Sequence, residues 1–527
     1  MMGIADRQTS FSDYWLEGRI PSTSVWSMLR TWALKHLDEK IFEELFSNVG
    51  RPSVSPVFTF MAMLIQLEKG YSDRELEEAS RFDDRVKYGL SAPRDFEGID
   101  AVTLVDHRNR LFGSEIGRKI FIETIENAKS AGIFDKENLH VIDSFMVWGS
   151  SAKQSTYKMI YQGIKMVLNV LSLHDMKDDA TKVLKRDDYN EKQQKPKINW
   201  EDDKEKVDLL ELLVIDALKL VEHVKAKKDN KKDLIEAVEL LERIARQDVE
   251  TDEKGKIKMT KGTAKDRIIS INDAEMRHGR KSTSKCSDGY KAEIITGGEN
   301  ASIVMAIEVF GANKSDGESM SSSIDEIKST RNTVNKLYGD TAYSDFEEIE
   351  KREQEGMSFA VKVSQPTNAT GCFTKDEFTI DIVVGTVKCP EGNVENFDVN
   401  KIKERKGTSV KFDAEKCKEC SQKEQCTKSK SGSRTVNIHP YEDRIKLERD
   451  YQKTDKFKKD YAQRSNGERT ISELTKYGGR QGRYVGTKKT KWQLTMVAIK
   501  NNIKATLRFI HKKIKTYQQD ELCPKMV

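Results

Sequence analysis

No run in the sequence approaches the roughly eighteen apolar residues that a membrane-spanning helix needs, which argues against a membrane protein. The opening stretch, MMGIADRQTSFSDYW, lacks the apolar core of a secretory leader, so export is not expected. Hydrophobic residues reach only 37%, against about 45–50% in an average domain, and charged residues reach 34%. That balance suits long solvated helices. The chain holds seven cysteines, an odd number, and four of them cluster late. In an intracellular chain this favours a metal site over disulfides. A Walker-type phosphate loop, a G-x-S-x-G elbow and a dinucleotide fingerprint are all absent, which removes the enzyme classes built on them. At 527 residues the chain is too long for one simple domain.

The net charge of +5 conceals an asymmetry. Residues 401–527 carry 33 Lys and Arg against 15 Asp and Glu, a balance of +18, so the first 400 residues stand at −13. Between Arg464 and Lys515 there are 14 basic residues and two acidic ones, Glu468 and Glu473. A basic segment beside an acidic remainder suits a nucleic-acid face. A solvated Lys-rich surface is the plain alternative.

Residues 1–130 read as helical. Ser22 or Ser24 caps a first helix, FTFMAMLIQLEKG stops at Gly70, and Ser72 caps the next helix. This pair fits a helix-turn-helix or ordinary bundle packing. LHVIDSFMVW, residues 139–148, reads as a strand. Residues 160–265 form a charged helical insertion with two amphipathic helices, VDLLELLVIDALKLVEHV and LIEAVELLERIARQ, preceded by a linker, KRDDYNEKQQKPKINWEDDKEK. RIISIND, GYKAEIIT and ASIVMAIEVFG read as strands, SSSIDEIKSTRNTVNKLY and FEEIEKREQEG as helices, and SFAVKVS as another strand. Residues 366–440 form a Cys-rich insertion. Residues 441–515 are helical and basic, interrupted by YGGRQGRYVG, and 516–527 form a tail.

Three carboxylates stand out. Asp143 interrupts the apolar run Val141–Val147, where an unpaired charge is costly to bury, so it marks either a strand end or a metal ligand. Asp340 opens the turn GDTAYSD, a common place for Asp. Glu468 lies in the basic segment, and helical spacing puts Tyr461, Arg464 and Glu468 on one stripe. Each has a structural explanation alone. Together they suit a ribonuclease-H-like mixed sheet holding two hard cations for in-line phosphoryl displacement. Arg464 and Lys476 would then neutralise DNA phosphates.

At these residues the sequence resembles the DDE transposases of bacterial insertion sequences, in the group with a Y-x2-R-x3-E-x6-K signature. Tyr461, Arg464 and Glu468 fit that spacing. The lysine position falls on Thr475, and the candidate Lys476 lies one residue later. The order IDSF, INDAEMRHG, SDGYKAEI and YGDTAYSD is similar to the family's core. CPEG at Cys389, then Cys417-x2-Cys420-x5-Cys426, and the final RYVGTKKTKWQLTMVAIKNNIKATLRF resemble the eleven-eighty-two branch. The resemblance covers about residues 10–515, most weakly over 160–265.

The resemblance implies a mixed α/β protein: a helical DNA-binding domain over 1–130 and a ribonuclease-H-like core over 131–365 and 441–515. It implies Asp143, Asp340 and Glu468 as the catalytic triad holding two Mg²⁺ or Mn²⁺ ions. Tyr461, Arg464, Lys476, Arg480 and Arg483 would bind DNA phosphates. Water would cut a phosphodiester at the element's end, and the freed 3′-OH would attack another strand. The partners expected are double-stranded DNA, as terminal inverted repeats and target, and a second copy of the chain on that DNA. The expected place is the bacterial cytoplasm, at the nucleoid when bound, and not a membrane. A metal-dependent nuclease without strand transfer, or an inactive transposase-derived DNA-binding protein, are the alternatives.

Cys417-x2-Cys420 has structural zinc spacing, and Cys389, 28 residues before it, and Cys426 could complete four thiolates. Reduced thiols in a Lys-rich loop are the alternative. Asp273 is read as a turn residue, and Asp345 as a lesser candidate ligand.

Overall fold

The computed structural model describes residues 1–4, 16, 18–134, 139–253, 255–280, 284–330, 332–368 and 370–522, with 517–522 described by backbone alone. The apolar run around Asp143 forms the central strand β1, His140–Trp148. Because Val141, Ile142, Phe145 and Val147 are all buried, β1 reads as a nearly continuous apolar stretch instead of an alternating one. Strands β2, Val249–Thr251, and β3, Ile257–Met259, form a separate hairpin. The remaining sheet strands are β4, Arg277–Arg280, β5, Cys286–Gly297, β6, Ile303–Gly311, β7, Lys336–Gly339, and β8, Ser358–Val361.

The main sheet has the order β4-β5-β1-β7-β8, with β6 also paired to β5. β5 runs antiparallel to β1 and β6, whereas β7 is parallel to β1 and β8 is parallel to β7. The result is a mixed sheet whose centre is β1.

The N-terminal helices pack onto this sheet. Ser24 caps Val25–His36, and Pro56–Lys69 ends at Gly70 in the left-handed conformation that glycine adopts without strain. A capping box at Ser72 starts Asp73–Phe82. The first helix of this pair is buried along most of its length. The second is acidic and ties back through Asp73 to Arg108 at 2.6 Å. Both helices are thus packed against their neighbours within the N-terminal bundle. The N-terminal helices and the sheet share a single hydrophobic core. The C-terminal helix Thr487–Leu522 is wedged between them. Its buried Asn502 donates to Thr124 at 3.2 Å and to the Val304 carbonyl at 2.9 Å, and accepts from Val304 N–H at 2.8 Å.

Residues 156–271 form a helical module with its own core. The two amphipathic helices are Asp203–Ala226 and Lys232–Gln247. A third small core sits under the Cys-rich segment. Among the described residues no helix is long and apolar enough to cross a membrane.

Four sequence expectations need correction. RIISIND is not a strand: Ile268 and Ile271 pack into the core of the helical module, and Ile271 N–H bonds to the Gln154 side chain at 3.0 Å. VNKLY does not extend the preceding helix, which ends at Ser329. Thr330 and Asn332 hydrogen-bond locally there, in competition with helix continuation, and Lys336–Gly339 becomes β7. The expected linker before Asp203 is tied down, with Lys185 and Arg186 N–H and the Tyr189 hydroxyl all donating to buried Asp216. The expected tail is helical as far as Leu522, and 523–527 lie outside the described residues.

Candidate active site

Asp143 lies midway along β1, paired across to Ile294. The parallel pairing of Val141 with Tyr338, continued two residues, brings Asp340 alongside it at the end of β7. Asp340 therefore follows a strand. Its Oδ1 accepts from Ala342 N–H at 2.8 Å, capping a short turn, and this leaves Oδ2 free to face the site. Ser144 N–H donates to Asp143 Oδ1 at 2.9 Å.

Glu468 arrives on the helix Ser465–Leu474. Gly467 lets that helix approach β1: a Cβ there would lie 2.6 Å from Val141 Cγ1. Thr470 fixes the other flank by donating to the Ala301 carbonyl at 2.8 Å. Upstream, Asp460 accepts from Tyr338 at 2.8 Å and pairs with Lys336. The Tyr461 hydroxyl donates to the Gly339 carbonyl at 3.0 Å, immediately before Asp340. This segment is thus clamped to β7 at two consecutive residues.

The clamp delivers Arg464 to the middle of the three carboxylates. Its guanidinium lies 3.2 Å from Asp143 Oδ2, 3.9 Å from Asp340 Oδ2 and 2.8 Å from Glu468 Oε1. Asp143 is the most enclosed of the three carboxylates and Glu468 the most exposed, at 17% and 58% side-chain exposure. Burial pushes the Asp143 carboxyl above its usual range, against the pull of Arg464. Burial also raises the Tyr461 phenol, to about 12. Although its burial disfavours charge, Arg464 is held above its usual value by Asp143 and the other neighbouring acidic groups. Three carboxylates converging on one site form a donor set of the kind hard divalent cations use. Among the described residues, however, no group of three or more His, Cys, Asp or Glu side chains is arranged to hold a metal ion.

The structure thus brings Asp143, Asp340, Glu468, Tyr461 and Arg464 together. Lys476 is exposed and lies over the Tyr477 ring, on a π turn spanning Thr475–Gly479. Arg480 and Arg483 sit at the far end of β1. There the Arg480 carbonyl accepts from Trp148 N–H at 2.9 Å, and Arg483 donates to the Tyr71 carbonyl at 3.2 Å. Five residues of strand from Asp143 to Trp148 span about 16 Å. Asp273 accepts from Glu275 and Met276 N–H as a turn residue, and Asp345 caps the helix Phe346–Gln354. Sequence reasoning passed over Asp460 and Gly467. The signal for Gly467 was available, since a glycine inside a helix one residue before a candidate ligand marks a close approach.

Cys389, Cys417, Cys420 and Cys426 line one cavity, floored by Phe373, Phe378 and Phe412. All four are free thiols. Burial and the neighbouring thiols push the Cys426 thiol up.

Residues 388–507 match the family model described as Transposase DDE domain, and residues 15–110 match the model described as Transposase domain (DUF772). The first match includes Tyr461, Arg464, Glu468 and all four clustered cysteines, whereas Asp143 and Asp340 lie outside both matched stretches. No curated protein and no solved structure matches the chain.

Proposed function

We propose that the chain, which its two domain matches indicate to be a transposase acting on DNA, cuts phosphodiesters at the ends of its own insertion element and joins the freed 3′ ends to target DNA. The observation that carries this reading is the convergence of Asp143, Asp340 and Glu468 on one guanidinium. In this reading those carboxylates hold two Mg²⁺ or Mn²⁺ ions. When bound, such ions supply Lewis-acid stabilisation to the attacking and leaving oxygens of an in-line displacement. The chain's own groups do the rest. Asp143, the most enclosed carboxylate, fixes the inner edge of the site. Tyr461 and Arg464 position the scissile phosphate, and Lys476, Arg480 and Arg483 bind phosphates farther along the duplex.

The mixed sheet, with carboxylates on two neighbouring parallel strands and a late helix, supports a ribonuclease-H-like core. Cutting two element ends together favours a homodimer on DNA in the bacterial cytoplasm.

The four cysteines line one cavity without standing in a metal-holding arrangement, and their spacing supports the reading of a structural zinc site. Metal analysis should then find one zinc per chain, lost in Cys420→Ser; a zinc-free wild type would remove the site.

The deciding experiment is cleavage of the protein's own flanking DNA with Mg²⁺ or Mn²⁺, beside Asp143→Asn. Cuts at a defined end, absent in the variant while DNA binding persists, are the expected result. Joined products separate the transposase from a simple nuclease. Equal cutting by Asp143→Asn would refute the assignment.

A further inference from the structure

We propose that Arg464 is a built-in cation that competes with the divalent metal for Asp143, Asp340 and Glu468, and that DNA phosphate draws it away, so that the site loads with metal chiefly on DNA. This rests on the reading of those three side chains as metal ligands. Four observations carry it.

A single guanidinium contacts all three carboxylates, at 3.2, 3.9 and 2.8 Å. Asp143 and Asp340 lie against one Nη of that group and Glu468 against the other, and among the described residues no set of acidic, His or Cys side chains stands in a metal-holding arrangement. Carboxylate oxygens 2.8–3.9 Å from the guanidinium nitrogens stand farther out than the about 2.1 Å at which ligands close on a small divalent cation. Arg464 therefore explains both why the three converge and why they do not close.

The backbone leading to Arg464 is fixed by the Asp460 and Tyr461 clamps on β7. Any release must come from the side chain swinging, not from the helix moving. Arginine is not deprotonated in proteins, so it leaves by exchanging partners and not by losing its proton. Its Nε is buried with no hydrogen-bond acceptor. A donor left unused in that position is an uncommon cost. A phosphate oxygen pair would satisfy Nε and one Nη together, in the bidentate geometry that guanidinium favours.

The charges agree. Three carboxylates and one guanidinium carry −2, which repels DNA until cations arrive. Exchanging the guanidinium onto phosphate frees the carboxylates for metal just as the phosphate needs a positive partner.

The test is Mn²⁺ binding to the full-length protein, read by electron paramagnetic resonance, without DNA and with a duplex from its flanking sequence. Without DNA, Arg464→Gln should bind Mn²⁺ at least tenfold more tightly than wild type, and adding Asp143→Asn should abolish the gain. Arg464→Lys keeps the charge but cannot bridge three carboxylates, so it should also gain affinity. The duplex should raise affinity in both, because its phosphate oxygens also ligate the metal, but several-fold more in wild type than in Arg464→Gln; an equal gain in the two would refute the displacement by DNA. If Arg464→Gln binds like wild type while Asp143→Asn loses Mn²⁺, the competition is refuted and the metal site stands. Arg464→Lys matching wild type would reduce the effect to charge alone and refute the bridging role. If Asp143→Asn leaves Mn²⁺ binding untouched, the metal reading falls and takes this one with it.

Discussion

Replacing Gly467 with alanine should separate Glu468 from Asp143 at little cost in stability. The new Cβ would lie 2.6 Å from Val141 Cγ1 and 3.0 Å from Val141 Cβ. Carbon atoms in contact prefer about 3.5–4.0 Å, so the helix Ser465–Leu474 must withdraw by about 1 Å or tilt. Alanine gains about 1 kcal/mol over glycine in a helix interior, while overpacking a filled core costs about 1–3 kcal/mol. The net is a loss of about 0–2 kcal/mol, small enough to leave the protein folded. Catalysis is more sensitive, because a misplacement of about 1 Å in a positioned group can cost on the order of 100-fold in rate. The assay is the single-turnover cleavage rate on flanking DNA, beside a urea midpoint. Val141→Ala removes the closer contact and leaves the one at 3.0 Å, so the double variant should recover part of the lost rate. Wild-type cleavage by Gly467→Ala, or no recovery in the double variant, would refute the close-approach argument.

Glu293, on β5, is fully buried against the helix Asp316–Ser329, where it accepts from Ser319 and Ser323. Burial raises its carboxyl to about 7, so the folded state keeps a proton that the unfolded chain releases near the ordinary value. Its contribution is complete below about pH 4.5 and is lost as pH rises through 7, a swing of about 3 kcal/mol. Glu293→Gln should therefore equal wild type near pH 4 and exceed it in thermal stability at pH 8; identical pH profiles would contradict this. Tyr461→Phe should lower the cleavage rate through loss of the 3.0 Å brace on Gly339, at about 1 kcal/mol of stability. Weakened DNA affinity at an unchanged rate would instead assign the hydroxyl to phosphate.

Much of the fold was legible where one physical signal dominated. Ser24, Gly70 and Ser72 marked helix ends because caps act locally. The run around Asp143 was readable as a strand because a strand buried on both faces must be apolar throughout. The segment 330–339 misled because its helical spacing is real up to Ser329, and only the packing of Leu337 and Tyr338 beside β1 decides for a strand. RIISIND has strand composition, yet its Ile268 and Ile271 are buried in the core of the helical module. The three carboxylates were nameable from sequence. The central place of Arg464 was not, because it depends on clamps to β7 from Asp460 and Tyr461 that join residues more than a hundred positions apart.

The site also survives a large interruption of its own sheet. Between β1 and β4 the chain leaves to build the helical module and returns, so Asp143 and Asp340 are far apart in sequence. Two features keep that excursion from disturbing them. The module buries its own core, separate from that of the sheet. Its two ends are also tied together: Gln154 N–H donates to the Ile269 carbonyl at 2.8 Å, and Ile271 N–H bonds back to the Gln154 side chain at 3.0 Å. With departure and return stapled at one point, the sheet meets the module as a short closed loop. Closing a longer loop costs little more than closing a short one, because the entropy grows only with the logarithm of length. Module length is therefore nearly free of constraint from the site, whereas the Gln154 staple is not. Removing its side chain should loosen the β1 end nearest Trp148, on the side of the site where Arg480 meets the strand.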